Sequence, residues 1–580
     1  MQRTKLPRRR ILKLISAFGV SSAVFARALE ALAQERPKVT EEMIKQAEWI
    51  AGLELDDAKR KLMVKGINES LASYEKIRKV AIDNSVAPAV AFRLIAASPA
   101  AKRVRGSRWT PARLTRPASD DDIAFAPVTH LAAWLRGRQV SSVELTKLYL
   151  TRLKKLNPLL ECVVTFTEDL AMKQAEQADR EIAAGRWRGP LHGVPWGAKD
   201  LLAVPGYPTT WGAPPYKDQV RPEKATVVER LENAGAVLVA KTAVGSLAWG
   251  DVWFGGVTKN PWNPKQGSSG SSAGSASATA AGLVGFAIGT ETLGSIVSPC
   301  TRCGATGLRP TFGRVSRYGA MALAWSIDKI GSIARSVEDC ALVFNAIRGN
   351  DPKDPSVVDG AFVWPPPSDV RLLRVGYVPQ LFEEDRSRDV KDEEQKKLVR
   401  ETQEHERKAL EVLKGLGIKL IPIKLPDAYP VGDLRFILEA EAAACFDELT
   451  RSGKDAQLVR QGEDAWPNTF RKGQLIPAVE YIRANRIRTL VMQEMEKLMA
   501  EVDVYVTPAF GSANLLLTNL TGHPQVVLPN GFRSNGTPSS ITFTGKLYGE
   551  TELLAMARAY QQATDFHTKR PKLEAPSEKK

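Results

Sequence analysis

The sequence predicts an α/β protein built around a mostly parallel or mixed β-sheet. Amphipathic helical segments and short apolar strands alternate from about residue 123 onwards. Two units are clear, "SSVELTKLYLTRLKKLN" followed by "CVVTF", and "ATVVERLENAG" followed by "AVLVAKT". Strands that alternate with helices in this way are typical of layered α/β folds.

The first residues predict an export signal. A basic segment with the pair Arg8 and Arg9 precedes a short, moderately apolar stretch, and "ALA" at 31–33 fits a small-residue cleavage site. The pattern predicts a twin-arginine signal peptide over residues 1–33, and therefore a periplasmic or secreted protein with no stable membrane insertion after cleavage. An uncleaved anchor or a basic amphipathic helix is the alternative interpretation.

Residues 34–125 predict a helical extension and a linker. Thr40 is a candidate N-cap for a first helix, and a second helix is expected from about residue 56 to residue 82. The expected apolar positions are Met43, Ala47 and Ile50 in the first helix and Leu62, Ile67, Leu71, Tyr74 and Ile77 in the second. The polar, Pro- and Arg-rich stretch 99–124 predicts a linker or wrapping loop. The sequence leaves open whether the helices cover a site or form a homodimer contact.

Residues 126–565 hold the remaining helix and strand signals. Gly235 is expected to end one helix before a strand at 237–240. Later, "EEQKKLVRETQEHERKALEVLKG" predicts a long helix before a strand, and "DVYVTPAF" and "QVVLPNGF" predict further strands. The segment "VWPPPSD" at 363–369 is expected to be a surface connection, and residues 566–580 have a composition typical of a disordered tail.

Composition excludes several classes of function. Hydrophobic residues make up 43% and charged residues 25%, as in soluble globular proteins. The net charge of +16 is not accompanied by a basic–aromatic stripe, so we expect no nucleic-acid partner. Five cysteines and five histidines, without a ligand spacing, predict no disulfide framework, no metal site and no cofactor, and Cys300 and Cys303 are expected to be structural.

The strongest chemical signal lies in two serine-rich clusters, "GSSGSSAGSA" and "GTETLGSIVSP". A flexible Gly/Ser linker is disfavoured because helix-forming alanines and an apolar run follow the first cluster at once. An α/β-hydrolase elbow is a second interpretation, with Ser272 at the centre of G-x-S-x-G. That elbow requires a hydrophobic strand directly before it and a histidine base, and the preceding residues are polar and turn-rich.

A lysine supports a third interpretation. Lys199 lies in "GPLHGVPWGAKDLLAVPG", among small and apolar residues that favour burial. Because burial disfavours the ammonium form, such a lysine can accept a proton from a serine hydroxyl. Small residues around Ser271 and Ser295 would let backbone N–H groups bind a developing oxyanion.

These segments resemble the amidase signature family. The likeness is carried by "GVPWGAKD", the two serine clusters, "CGATGLRPTFGRVSRYG" and "GHPQVVLPNGF", in order, over a catalytic domain at roughly 126–565. The resemblance implies a large mixed β-sheet core flanked by helices on both faces, here with an added N-terminal helical segment. It also relates the chain to the amidotransferase A-subunit branch.

The resemblance implies a Ser–cisSer–Lys triad. Ser295 falls on the nucleophile, Ser271 on the bridging serine that follows a glycine through a cis peptide bond, and Lys199 on the base. Neutral Lys199 would draw a proton through Ser271 from Ser295, which would attack the amide carbonyl. The oxyanion would be held by backbone N–H groups of Thr292, Leu293, Gly294 and Ser295.

Three positions depart from the family's T-D-T-G-G-S-I-R pattern. Glu291 replaces the aspartate, Leu293 the first glycine and Val297 the arginine. Leu293 would be strained if the loop required a positive φ there. Val297 removes a cation that some relatives use near the substrate or to pair with the acidic residue, which weakens the case for an anionic substrate such as glutamine.

The function expected from these residues is that of an exported amidase acting on a small-molecule carboxylic amide. The alternatives are a glutamine-hydrolysing amidotransferase subunit of the A type, an esterase or carbamate hydrolase on the same fold, and a non-catalytic protein that retains it. Aromatic residues in "SLAWGDVWFGG" at 246–256 suggest an apolar or aryl acyl group, although core packing would explain them equally well.

Overall fold

A computed structural model of the chain describes residues 38–83, 86–90, 114–366 and 369–574. The chain divides into two compact units, Met1–Glu75 and Lys76–Lys580. The expected signal peptide at 1–33 and the linker residues 99–113 lie outside the described residues. Within the described ranges, no helix has the length and apolar character needed to cross a membrane.

The first unit contains two helices, α1 (Glu41–Ala51) and α2 (Asp57–Arg78), the second as far as Glu75. The Thr40 side chain accepts a hydrogen bond from the Met43 N–H at 3.3 Å, which confirms the predicted N-cap. Helix α2 ends at Arg78, four residues before the expected boundary.

The buried face of α1 differs from the expected one. Ile44 and Glu48 are buried, whereas Ile50 is 85% exposed. A carboxylate can occupy this face because Arg60 of α2 pairs with Glu48 at 2.7 Å. Burial of a paired charge costs far less than burial of a lone one, so the apolar pattern alone assigned the wrong face.

The second unit is an α/β structure. Its strands are β1 (Val163–Phe166), β2 (Pro195–Lys199), β3 (Val237–Thr242), β4 (Val252–Trp253), β5 (Gly256–Val257), β6 (Lys259–Asn260), β7 (Asn263–Gly267), β8 (Phe286–Glu291), β9 (Thr306–Arg309), β10 (Lys329–Ala334), β11 (Val375–Tyr377), β12 (Leu420–Pro422), β13 (Val504–Pro508), β14 (Gln525–Phe532) and β15 (Pro538–Gly545). Its helices are α3 (Asp120–Ala124), α4 (Val128–Arg136), α5 (Ser142–Leu160), α6 (Glu168–Ala183), α7 (Thr226–Asn233), α8 (Ala273–Ala280), α9 (Val297–Cys303), α10 (Val337–Ile347), α11 (Pro379–Glu383), α12 (Glu393–Gly415), α13 (Phe436–Cys445), α14 (Asp447–Arg451), α15 (Trp466–Gly473), α16 (Ala478–Glu501), α17 (Asn514–Thr521) and α18 (Glu550–Gln562).

The main sheet is mixed and large, as predicted. Its eleven strands run in the order β1-β3-β2-β8-β10-β9-β14-β15-β13-β11-β12. Strand β2 lies parallel to both β3 and β8, and β11 lies parallel to both β12 and β13. The other pairs are antiparallel. Helices flank the sheet, in agreement with the predicted fold class.

The helix–strand units identified in the sequence are present with small boundary shifts. Gly235, at φ +81°, follows α7, and β3 continues two residues past the predicted strand, to Thr242. Every residue of β3 is buried, which explains why the strand has a continuous apolar run rather than an alternating one. The expected linker is partly structured, because Ser119 caps the short helix α3.

Helix α8 shows that the Gly/Ser-rich segment is a packed core element rather than a linker. All eight residues of α8 are buried. A Cβ at Gly274 would lie 2.2 Å from the Cys162 carbonyl oxygen and 2.3 Å from the Ala243 nitrogen, so this helix packs directly against neighbouring backbone. Its small side chains are what permit that approach.

Two segments predicted as surface or tail are more ordered than expected. Trp364 of "VWPPPSD" is buried and stacks on Phe362 with ring centroids 6.4 Å apart. Beyond residue 565, Phe566–Thr568 form a 3-10 turn, and Leu573 packs against a hydrophobic cluster. Apolar side chains within these polar stretches anchor them to the core.

Candidate active site

Two adjacent parallel strands place the candidate residues at one edge of the sheet. Lys199 is the last residue of β2, and Glu291 is the last residue of β8. The register pairs Ala198 with Ile288, so the two strands end side by side. Residues 292–296, which we call the nucleophile loop, connect β8 to α9 and lie at this same edge, where α/β proteins commonly place their sites.

The amine of Lys199 is surrounded by hydroxyl groups. The side chain is fully buried, and Nζ lies 2.8 Å from Ser271 Oγ, 2.8 Å from Thr290 Oγ1 and 3.0 Å from Ser272 Oγ. Ser271 and Ser272 lie directly before α8, and Thr290 lies in β8. Two segments that are distant from Lys199 in the sequence therefore contact its side-chain nitrogen.

The hydrogen-bond pattern suits a neutral amine. Burial lowers the pKa of Lys199 well below 10.5, although Asp328 and Glu291 oppose this shift. The Ser272 hydroxyl donates to the Thr290 carbonyl at 3.1 Å, so it can only accept from Lys199. A neutral amine has two N–H donors and one lone pair, so when it donates to Ser272 and Thr290 its lone pair is left for the Ser271 contact.

The serine cluster is hydrogen-bonded to the nucleophile loop. The Gly270–Ser271 peptide bond is cis. The Ser272 N–H donates to the Ser295 carbonyl at 3.1 Å, which links the residue after Ser271 to Ser295 itself. Ser295 is 8% exposed and Ser271 is fully buried. The structure thus brings together all three residues that the sequence singled out, Lys199, Ser271 and Ser295.

The backbone of the nucleophile loop accepts leucine without strain. The residue with a left-handed conformation is Gly294, at φ +86°, and Leu293 is not among the residues with a positive φ. The strain considered from the sequence is therefore absent at Leu293. The Ser298 N–H donates to the Gly294 carbonyl at 2.7 Å, which joins the loop to the first turn of α9.

Glu291 fixes the far end of the same loop. Its Oε2 accepts the N–H groups of Ile296 at 2.8 Å and Val297 at 2.9 Å. Burial would raise the pKa of this carboxyl, but Arg309 at 2.7 Å and the N–H donors hold it at about 2. The cation that Val297 does not provide comes from Arg309 of β9, a residue that sequence reasoning missed.

We expect Arg309→Met to lower the free energy of unfolding by about 3–5 kcal/mol, because it leaves the charged Glu291 buried without its cation. Urea denaturation at neutral pH measures this loss. The double variant Glu291→Gln/Arg309→Met removes both charges and should lose less than the sum of the two single variants. Additive losses would contradict a direct electrostatic role for the pair.

A cavity of about 220 Å³ adjoins the nucleophile loop. Thr290 and Thr292 line it, and the Thr292 hydroxyl donates to Asp328 at 2.6 Å. Of the segment "SLAWGDVWFGG", Ala248 lines this cavity, whereas Trp249 packs on Trp466 with centroids 5.6 Å apart. Trp249 is not among the residues that line this cavity, and an apolar or aryl acyl group stays a prediction.

The α/β-hydrolase interpretation fails on geometry. Ser272 is fully buried and its hydroxyl is committed to Lys199 and Thr290. Two histidines considered as its base have other partners, since His405 contacts Ser539 and the imidazole of His523 contacts Thr521, each at 2.8 Å. Ser272 and Thr290 instead position Lys199, a role that no pattern in the sequence indicated.

The cysteine pair is structural in its surroundings. Cys300 and Cys303 are free thiols buried in α9, and burial raises the pKa of Cys300 well above 9.0. In the described parts of the chain, no group of three or more His, Cys, Asp or Glu side chains is placed to hold a metal ion.

Comparisons with known proteins identify the family of the chain. A sequence model of the amidase family matches residues 144–554. The chain is 34% identical over 493 residues to the A subunit of the glutamyl-tRNA(Gln) amidotransferase of Chloroflexus aurantiacus, an alignment that covers 77% of this chain and 98% of that protein.

Solved structures of amidases are also similar to this chain. The peptide amidase of Stenotrophomonas maltophilia is 29% identical, with a TM-score of 0.66 over 76% of this chain and 97% of that one. An amidase family protein of Bacillus anthracis is 26% identical, with a TM-score of 0.68 over 78% of this chain and 94% of that one. The chain therefore belongs to the amidase signature family and is an enzyme of the amidohydrolase type.

Proposed function

We propose that this enzyme hydrolyses the C–N bond of a small carboxylic amide through an acyl-enzyme on Ser295. The observation that carries the proposal is the buried amine of Lys199, with Nζ 2.8 Å from Ser271 Oγ, beside the loop that holds Ser295. A serine hydroxyl needs a base to become a nucleophile, and a lysine kept neutral by burial is such a base.

The steps follow from these positions. Ser295 Oγ attacks the amide carbonyl while its proton passes to Ser271 and the Ser271 proton passes to Lys199. The oxyanion is stabilised by backbone N–H groups of the nucleophile loop, those of Thr292, Leu293, Gly294 and Ser295. The C–N bond then breaks, and the departing amine takes a proton back through Ser271. Water attacks the acyl group by the same relay and releases the carboxylic acid with Ser295 regenerated.

A glutamine-hydrolysing amidotransferase subunit is the second candidate, and the Chloroflexus aurantiacus relative is named as a component of such an enzyme. Against it, Val297 stands where the family pattern has an arginine, and residues 1–33 carry an export-type pattern. Esters and carbamates would pass through the same acyl-enzyme, so they are variants of the main proposal rather than rivals to it.

A substrate panel with trapping of the intermediate tests the proposal. Primary amides, anilides, esters and glutamine are offered to the purified chain, and mass spectrometry after acid quenching locates the acyl group. We expect an adduct on the peptide that contains Ser295 for several amides. Turnover confined to glutamine would favour the amidotransferase candidate, and amide turnover with an adduct on another residue would contradict the proposed nucleophile.

We further propose that residues 1–33 direct export by the twin-arginine route. Protein isolated from its native host is expected to begin after Ala33, as read by N-terminal sequencing. Replacing Arg8 and Arg9 together by lysine should leave the uncleaved chain in the cytoplasmic fraction, because this signal is read by a receptor that recognises the arginine pair. An intact N-terminus on exported wild-type protein would contradict cleavage at this site.

A further inference from the structure

A second cavity, of about 290 Å³, borders the first serine cluster and helix α9, which follows the nucleophile loop. Ser269, two residues before Ser271, and Ser298, three residues after Ser295, both line it. The rest of its wall comes mainly from α9, α12 and the β14–β15 hairpin. The proposed mechanism uses none of these residues, which leaves the cavity without a role in the chemical steps.

The wall of this cavity is strongly basic. Three guanidinium groups line it, those of Arg302, Arg386 and Arg533, against a single carboxylate, Glu406. Arg386 pairs with Glu406 and also donates to the Phe510 carbonyl at 2.9 Å. Among the described residues, Arg302 and Arg533 have no carboxylate within 4.0 Å. The side chains of the wall therefore carry an excess of two positive charges.

The two cations without a carboxylate partner also repel one another. Burial lowers the pKa of Arg533 and the neighbouring Arg302 lowers it further, with Glu401 opposing the shift from outside the wall. Two like charges brought together in a partly buried site are unfavourable unless an opposite charge lies between them. An anion bound between Arg302 and Arg533 would therefore relieve their mutual repulsion.

Other hydrogen-bonding groups in the same wall are unsatisfied. Ser540 is 2% exposed, and its Oγ has no hydrogen-bond partner among the described residues. The Nε atoms of Arg533 and Arg386 are likewise buried without a partner there. A buried donor that lacks an acceptor is costly, and an anion supplies several acceptors at once.

We propose that this cavity binds a carboxylate or phosphate group, held by Arg302, Arg533 and the Ser540 hydroxyl. Guanidinium groups bind such planar or tetrahedral oxyanions through paired N–H donors. The anion is either a group on the amide substrate, since Ser269 and Ser298 of the wall lie two and three residues from Ser271 and Ser295 in the sequence, or a free ion. The first source rests on the proposed function, whereas the binding itself does not.

Binding of inorganic phosphate to the full chain tests the site. Calorimetric titration at constant ionic strength is expected to show binding to the wild-type protein, and Arg302→Gln to weaken it by about tenfold or more. Ser540→Ala should weaken it less, because it removes one neutral donor. The matched control is Arg180→Gln on α6, an exposed arginine outside the cavity wall, which should bind as the wild type does.

The outcomes are distinct. Absence of phosphate binding to the wild type, or equal weakening by Arg302→Gln and Arg180→Gln, would overturn the site. Where phosphate binds, two amides that differ only in a terminal carboxylate or methyl group identify the source of the anion. If Arg302→Gln raises KM more for the carboxylate amide than for the methyl amide, the bound anion is a group of the substrate. If it changes both KM values equally, the bound anion is a free ion. Failure of every amide to react contradicts the proposed function and leaves the phosphate result standing.

Discussion

Ser295→Ala is expected to lower kcat for amide hydrolysis by a factor on the order of 10⁴ or more. In the proposed mechanism the substitution removes the atom that forms the acyl bond, so only substrate binding and the oxyanion donors would remain. The fold should be retained, because the Ser295 carbonyl still accepts the Ser272 N–H and the side chain that is lost is small. The thermal midpoint should therefore change little while the activity disappears.

A fluorophosphonate probe measures the same residue without knowledge of the natural substrate. Wild-type protein should be labelled on Ser295, and Ser295→Ala should not be labelled at all. Ser452→Ala, at an exposed serine after α14, is the control and should be labelled as the wild type is. Labelling that persists in Ser295→Ala would remove this serine from the mechanism.

The candidate site residues could be predicted from the sequence because each lies in a short, characteristic segment. Lys199 follows a small-residue strand, and Ser271 and Ser295 lie in clusters that no linker would place beside core elements. Parallel pairing of β2 with β8 then brings the segments together, as a layered α/β fold requires. Local chemistry singled out the lysine and the two serine clusters, and the resemblance to the amidase signature family assigned Ser295, Ser271 and Lys199 within them; their catalytic roles stay predictions.

The supporting residues could not be found in the same way. Thr290 and Ser272 act on Lys199 through contacts across many tens of residues, and neither lies in a pattern that indicates such a role. Arg309 reaches Glu291 from β9, two strands away in the sheet order. Such contacts depend on which strands become neighbours, and a single sequence does not encode that in any local pattern.

The structure accommodates the residues that depart from the family pattern. Leu293 avoids a positive φ because Gly294 adopts it, and Glu291 keeps a cation because Arg309 supplies one. The loop backbone and the contacts of Lys199 are therefore compatible with these substitutions.

Lys199→Met is expected to lower kcat/KM by a factor of about 10² to 10⁴, the usual contribution of a general base. Methionine fills a similar volume but has neither a proton acceptor nor N–H donors for Ser272 and Thr290. In the wild type, kcat/KM should be constant where the amine is neutral and should fall as the pH falls through its lowered pKa. The variant should lack that acid limb, and an unchanged limb in Lys199→Met would assign it to another group.

Stability provides an independent readout of the same lysine. The unfolded chain protonates this amine near pH 10.5, whereas the folded protein does so only at a much lower pH, because burial lowers the pKa. Between those values the unfolded state binds more protons, so wild-type stability falls as the pH falls from 10.5 towards the folded pKa. Lys199→Met should lose less stability over this range.

Lys329→Met is the matched control, since burial also lowers the pKa of Lys329 well below 10.5. It should reduce the pH dependence of stability in the same direction but retain the acid limb of kcat/KM, which separates burial of a lysine from its use as a base.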